Sequence, residues 1–459
     1  WEIDADGATF WLREDARWSD GRPITARDFV FAWRRLVDPE TAASSAYRAK
    51  GIENAQAIIE GKADPDTLGV RAASDRVLEV SFEHPLPLFE HEVAFPRFGP
   101  LREDVVRAHG EAFAADADRM LYNGPFVIAE WVHDQRLRLR RNPAYWNADA
   151  IWLEGVHFDY LTSDPRALAN LFRGGQIAFT PLAASTLPDA VERGERIRRF
   201  LPGAWGGLVF NLRAERPTHE LHLRRALALA TDPREIVTRV LRNPGGRPAR
   251  SLFPSTMRVD GEPLHALIGA QAHRPDYDAA RAELALARKA LGAERLPPLV
   301  LLGWNDPTLT RIDEHLQSRW SEVLGLEVRV VRQSFKQGLA QAREGRFDVR
   351  MTGFTGNLWK PVSYAEPFTT GANFHGGAYE SQTYDACVER ARRGTERAER
   401  IAAYRCIHEH WIEDRPGLPV AEGAESYLVH PRLTGLVRSA YLHDPDLTHA
   451  RILPPAEEE

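Results

Sequence analysis

Cysteine is scarce in this chain. Only Cys387 and Cys406 occur in 459 residues, which excludes a multi-disulfide scaffold and a metal centre held by four thiolates. Lysine is confined to positions 50, 62, 289, 336 and 360, although Lys and Arg together number 59. We attribute that bias to coding composition rather than to a need for guanidinium groups. No run approaches the roughly 18 apolar residues of a membrane span. The net charge of −6 is spread along the chain, so no basic footprint for nucleic acid is present.

Motifs that carry chemistry are equally sparse. Gly61-Lys62 is followed by Ala63 and lacks the spaced upstream glycine of a P-loop. No G-x-S-x-G elbow occurs. His408-Glu409-His410 and His219-Glu220-Leu221-His222 are not H-E-x-x-H, and histidines at i,i+2 diverge on a helix. Neither is expected to bind a metal, and His375 in Phe374-His375-Gly376-Gly377 has no partner close in sequence. No cofactor is expected. Carboxylates are plentiful, but no spacing marks a catalytic pair. Internal repeats and low-complexity linkers are absent, and only Pro454 to Glu459 reads as an unstructured tail.

What is present describes an α/β protein. Hydrophobic residues make up 43% and mean hydropathy is −0.40, and the length allows two or three domains. Alternation predicts strands over Gly7–Arg13, Arg76–Phe82 and Arg136–Arg140, the last with leucines on one face and arginines on the other. That arginine row reads as a solvated strand face. Leu299–Leu302 and Leu326–Val331 are apolar strands. Between them Ile312, Leu316, Trp320, Val323 and Leu324 mark a helix face that ends at Gly325. This strand–helix–strand order, continuing to Phe347-Asp348-Val349, predicts a mostly parallel sheet.

The longest motif is Ala16-Arg17-Trp18-Ser19-Asp20-Gly21-Arg22-Pro23-Ile24-Thr25-Ala26-Arg27-Asp28-Phe29-Val30. Ser19-Asp20-Gly21 is turn chemistry. Thr25 is a helix N-cap with Asp28 in the capping-box position, and Phe29, Ala32, Trp33 and Leu36 recur at helical spacing. Further along come Asn123-Gly124-Pro125-Phe126, Arg141-Asn142-Pro143-Ala144-Tyr145-Trp146-Asn147, Phe172-Arg173-Gly174-Gly175-Gln176-Ile177, Asn211-Leu212, Leu223-Arg224-Arg225-Ala226-Leu227, Asp232-Pro233-Arg234, Tyr277-Asp278 and Arg346-Phe347-Asp348-Val349. In this order the motifs resemble the extracellular solute-binding proteins of peptide ABC transporters, in their oligopeptide-binding branch (family 5).

The resemblance implies a large two-lobed periplasmic-binding-protein fold (cluster C-like), α/β with mixed sheets and a central ligand cleft. It places a small peripheral domain at 1–98 and a main domain at 99–203 completed by 425–459. A second lobe would occupy 204–424, with crossovers near Pro202-Gly203 and Gly423-Ala424. Relatives carry a further segment ahead of the position matched by Trp1. The expected role is the binding of peptides or peptide-like solutes for a membrane permease, by hinge closure, as an exported monomer without chemistry of its own.

At the ligand site this sequence departs from its relatives. Their aspartate for the peptide α-ammonium group falls at Asn357, within Gly353-Phe354-Thr355-Gly356-Asn357-Leu358-Trp359-Lys360-Pro361. Asparagine accepts a hydrogen bond but brings no charge, a loss of about 1.5–3 kcal/mol of charge assistance. The relatives' upstream arginine aligns with Met351, a buried glutamate with Val209, and a tyrosine cluster with Ala421-Glu422-Gly423. Gly353 to Thr355 are expected to offer backbone for β-augmentation. Trp205, Phe354 and Trp359 are read either as aromatic walls or as lobe core, and Glu422 as a relocated anion. The alternative is a derived member with an altered or unused cleft, acting through protein partners or on a non-peptide solute. Finally, Cys387 and Cys406 fall on helices read at Thr383–Arg393 and Glu396–Trp411. They are either two buried thiols or one disulfide, whose closure would add about 3 kcal/mol.

Overall fold

The computed structural model describes residues 1–43, 45–243, 245–356, 359–372, 376–438 and 445–454. The chain divides into two compact units, Trp1–Thr180 with Val429–Glu459, and Pro181–Leu428.

The first unit opens with β1 (Glu2–Ile3), β2 (Gly7–Trp11), α1 (Ala26–Val37), β3 (Val70–Ser74) and β4 (Val77–Ser81). The strands form an antiparallel sheet in the order β1-β2-β4-β3. The long motif supplies the helix that covers it. Asp28 Oδ2 accepts from Thr25 N at 2.8 Å and from Trp18 Nε1 at 3.3 Å, which holds one orphan amide and pins the turn to the helix start. Trp33 then donates from Nε1 to the Phe98 carbonyl at 2.9 Å. Ala32, Trp33, Leu36 and Val37 are buried with Leu78 and Val80, so one helix face and one sheet face form the core of the first hundred residues.

The same unit holds β5 (Phe126–Val132), β6 (Arg136–Arg141) and β7 (Gly155–Phe158), an antiparallel meander. Its arginine face is ion-paired: Arg136 with Glu130 at 2.6 Å and Arg138 with Asp159 at 2.8 Å. Asn142, nearly fully buried, donates from Nδ2 to the Gly124 carbonyl at 2.8 Å, and its amide donates to Pro125. Two of the sequence motifs are therefore the two sides of one hydrogen-bonded corner.

The second unit is built on β8 (Ala204–Phe210), α2 (Leu221–Leu229), β9 (Arg247–Pro248), α3 (Tyr277–Leu291), β10 (Leu299–Trp304), α4 (Pro307–Leu324), β11 (Val328–Gln333), α5 (Phe335–Arg343), β12 (Val349–Thr355), α6 (Gln382–Arg393), α7 (Arg397–Asp414) and β13 (Gly417–Glu422). Six strands lie in the order β9-β13-β8-β12-β10-β11. The sheet is mixed, which corrects the mostly parallel expectation. Only β11, β10 and β12 run parallel, joined through helices, whereas β8 and β13 are antiparallel additions that return by other routes.

Alternation along β8 divides the interior in two. Leu208 and Phe210 join the core under α2, α3 and α4, while Trp205 and Val209 join a second core with α6 and α7. Cys387 on α6 and Cys406 on α7 are disulfide-bonded, with Cα atoms 5.9 Å apart, which resolves the two readings in favour of the bridge. Of the histidines at 408 and 410, His408 is buried and His410 is half-buried, as the i,i+2 spacing on α7 requires. His375 lies outside the described residues.

One buried charge stands out. Asp313 on α4 is wholly inaccessible, and its carboxylate packs on Gly303 of β10, where any added Cβ would overlap Oδ2. Neither oxygen has a hydrogen-bond partner among the described residues, and Arg332 Nε lies 4.0 Å away. Burial pushes its pKa up to about 7, with the Arg332 charge opposing. A carboxyl with a raised native pKa stabilises the fold fully below its unfolded pKa, and that contribution fades as pH rises through the native value. The shift corresponds to about 4 kcal/mol. This contribution should fade between about pH 4 and pH 7, and Asp313→Asn should remove it from the stability–pH profile in chemical denaturation. An unchanged slope in the variant would refute the assignment.

Candidate functional site

The residues singled out from the sequence cluster around paired strands β8 and β12 and the end of β13. The antiparallel ladder runs from Ala204↔Thr355 through Trp205↔Phe354 and Gly206↔Gly353 to Phe210↔Val349. On the other edge of β12 the parallel ladder with β10 covers only Leu301↔Val349 and Leu302↔Arg350. Beyond it the Trp304 indole donates to the Met351 carbonyl at 2.9 Å. The last residues of β12 therefore project past the parallel part of the sheet, and Gly353 and Thr355 there are exposed.

The side chains expected to line a solute site do not share one face. Trp205 is 1% exposed, stacked on Phe368 at 6.3 Å and edge-on to Trp411 at 6.5 Å. It is lobe core, the second of its two sequence readings. Val209 packs in the same core, while Met351 points into the opposite one. Phe354 is half-buried and edge-on to Tyr364 at 5.6 Å, and Trp359 is exposed. Asn357 lies outside the described residues.

Glu422 is buried at the end of β13 and already engaged. Its carboxylate accepts from Ser255 N at 3.0 Å to each oxygen and from Ser255 Oγ at 2.5 Å. Burial raises its pKa, against the Ser255 bonds and the charges of Arg247 and Arg250. In this structure the Glu422 carboxylate is therefore engaged by an internal loop rather than presented to a solute. Gly423 beside it is partly open, with Asn243 Nδ2 at 3.9 Å as the only atom near a would-be Cβ.

Sequence reasoning missed two residues that shape this region, Tyr364 and Arg350, and it named Gly356 only as part of the solute loop. Tyr364 donates to the Gly203 carbonyl at 2.6 Å and contacts the Gly356 carbonyl at 3.3 Å, tying the start of β8 to the end of β12. Gly356 lies so close that a Cβ would approach the Tyr364 ring to 2.8 Å. Arg350 is buried one position before Met351, its guanidinium 5.0 Å from the Trp304 ring centroid and its pKa pulled down to about 10 by burial. A one-residue offset along a strand changes the face, so Arg350 stands opposite Val209 rather than beside Met351. The available signal was the alternation Val349, Met351 against Arg350, Thr352.

The arrangement presents backbone rather than reactive side chains. Cys387, Cys406 and His410 are the one metal-compatible group among the described residues, and both sulfurs are held in the disulfide.

Two compact units, one carrying a six-stranded mixed sheet with helices on both faces and an exposed strand end, define an α/β binding protein. Residues 1–376 match the profile of the bacterial extracellular solute-binding proteins, family 5 (middle region), and the chain belongs to that family. It is 28% identical to the dipeptide-binding protein DppE of Bacillus subtilis, over 95% of this chain and 80% of the relative. It is 31% identical to the probable deoxycholate-binding periplasmic protein YgiS of Escherichia coli, over 97% and 82%. Among solved structures, the substrate-binding domain of an oligopeptide ABC transporter from Bacillus anthracis superposes with a TM-score of 0.79 at 28% identity, covering 99% of this chain and 88% of that one. No helix among the described residues is long and apolar enough to cross a membrane.

The bulge between Gly206 and Gly207 tests how tightly this strand pair is set. A Cβ on Gly207 would overlap the Leu418 carbonyl and sit 2.9 Å from Pro419 Cα, whereas one on Gly206 meets nothing closer than Met351 Cε at 3.7 Å. Gly207→Ala should cost about 1–3 kcal/mol in urea unfolding and Gly206→Ala less than about 0.5 kcal/mol. Equal costs would contradict the geometry.

Proposed function

We propose that this protein is the peptide-capturing component of an ABC importer, holding the solute by its backbone at the exposed end of β12. The observation that carries the reading is the combination of family 5 membership with a strand end whose Gly353 and Thr355 are exposed. Strand addition is indifferent to peptide sequence, because main-chain hydrogen bonds supply the affinity. It tolerates the absence of a charged anchor at Met351 and Val209 and the engagement of Glu422 by Ser255. DppE and the Bacillus anthracis protein, by their descriptions, handle dipeptides and oligopeptides. In this reading the protein is exported, works as a monomer with a membrane permease, and performs no chemistry. Its lobes would follow the family division, 1–203 with 425–459 and 204–424.

A second reading has one specific observation behind it. The relative with 31% identity is described as a probable deoxycholate-binding protein, and a site whose one carboxylate is engaged by Ser255 suits an amphipathic carboxylate such as deoxycholate better than an ammonium group. Thermal unfolding separates the two. A mixed di- to pentapeptide pool at a hundredfold excess over its dissociation constant should add about 2.7 kcal/mol, a rise of a few degrees for a protein of this size. A rise with sub-micellar deoxycholate and none with peptides would overturn the peptide reading.

A further inference from the structure

Apart from the β8–β12 region, the second unit carries a cavity of about 990 Å³ between the start of β9, the segment Leu264–Ile268 and the loop that leads into α3. Its lining is strongly basic: Arg234, Arg247, Arg250 and Arg274 against the single carboxylate of Asp232. Some other arginines of this unit are matched to acids, as Arg281 is to Asp278 and Arg397 is to Asp260 and Glu262, and others, such as Arg225, Arg258 and Arg405, are bonded to backbone carbonyls. None of the four cavity arginines has a carboxylate within 4.0 Å or a side-chain hydrogen bond among the described residues. Glu422, whose charge reaches Arg247 and Arg250, is buried and accepts three hydrogen bonds from Ser255. The two histidines of the lining are likewise engaged, His265 with the Phe253 carbonyl and His273 with the Ala228 carbonyl.

Like charges gathered around a concave surface repel one another, and the concavity focuses their field. An unpaired guanidinium offers a planar fork that matches phosphate and carboxylate oxygens. We propose that this cavity is a binding site for a small polyvalent oxyanion, bearing either phosphoryl or carboxyl groups. Its volume lies at the upper end for small-molecule sites and exceeds what a single phosphate would fill, so a ligand with two or more anionic groups suits it. The lining meets the candidate peptide site only around Glu422, through Ser255, Arg247 and Arg250, and the proposal stands whether or not the peptide reading holds.

Isothermal titration of the full chain with inorganic pyrophosphate and, separately, with citrate tests it and distinguishes the two chemistries. At least one anion should bind with one-to-one stoichiometry, more weakly as ionic strength rises from roughly 20 to 150 mM. Arg234→Gln, Arg250→Gln and Arg274→Gln should each weaken it about tenfold. Arg281→Gln, on the same unit but outside the cavity, should bind like wild type. All four side chains are exposed, and thermal melts would verify that the variants fold. Absence of saturable binding by both anions would overturn the proposal. So would equal weakening by Arg281→Gln, which would mark a diffuse charge effect.

Discussion

The second unit depends on one strand being buried on both faces. Ala204–Phe210 gives Leu208 and Phe210 to one core and Trp205 and Val209 to the other, so the strand is shared by the two helical layers. At about 25 cal/mol per Å² of apolar area buried, large side chains such as Trp205 and Phe210 hold both layers in place. The strand accepts this load because Gly207 lets β13 approach on one side at the bulge. Its other side is fully paired with β12, and Tyr364 fastens the two strand ends. The exposed end of β12 is thus a rigid backbone surface rather than a loop.

Rigidity of this kind suits a binding protein that recognises main chain. A strand end held by the Tyr364 hydroxyl, the Trp304 indole and seven paired residues loses little further entropy on binding, which is where affinity in strand addition is otherwise spent. The side chains near it are apolar or already engaged, so they add shape rather than charge. The basic cavity elsewhere in the unit follows the opposite rule, with exposed guanidinium groups that have no internal partner among the described residues.

Much of this was legible in the chain. The Thr25–Asp28 box, the Trp33 face and the apolar strands at 299 and 328 follow from capping chemistry and periodicity, which are local. The motif pair around Gly124 and Asn142 was visible as sequence, but the hydrogen bond that joins the two is a tertiary fact. Sheet direction was misjudged because β8 and β13 enter the sheet from distant segments, and no local pattern encodes their antiparallel pairing. The site was the least legible part. Trp205 has the same composition signal as wall or as core, and only packing decides. Glu422 reads as an anion from the sequence, but its bond to Ser255, 167 positions away, is a tertiary fact. The Arg350–Met351 offset shows the same limit, since a single position along a strand selects the face.

The most direct test of backbone capture is amide hydrogen–deuterium exchange across β12, measured with and without a saturating peptide. The account predicts slowed exchange at those amides of 353–356 that face the open edge of β12, with Val349 to Met351 unchanged because β8 and β10 already flank them. Saturation of binding with no added protection at 353–356 would contradict it and place the solute elsewhere on the protein.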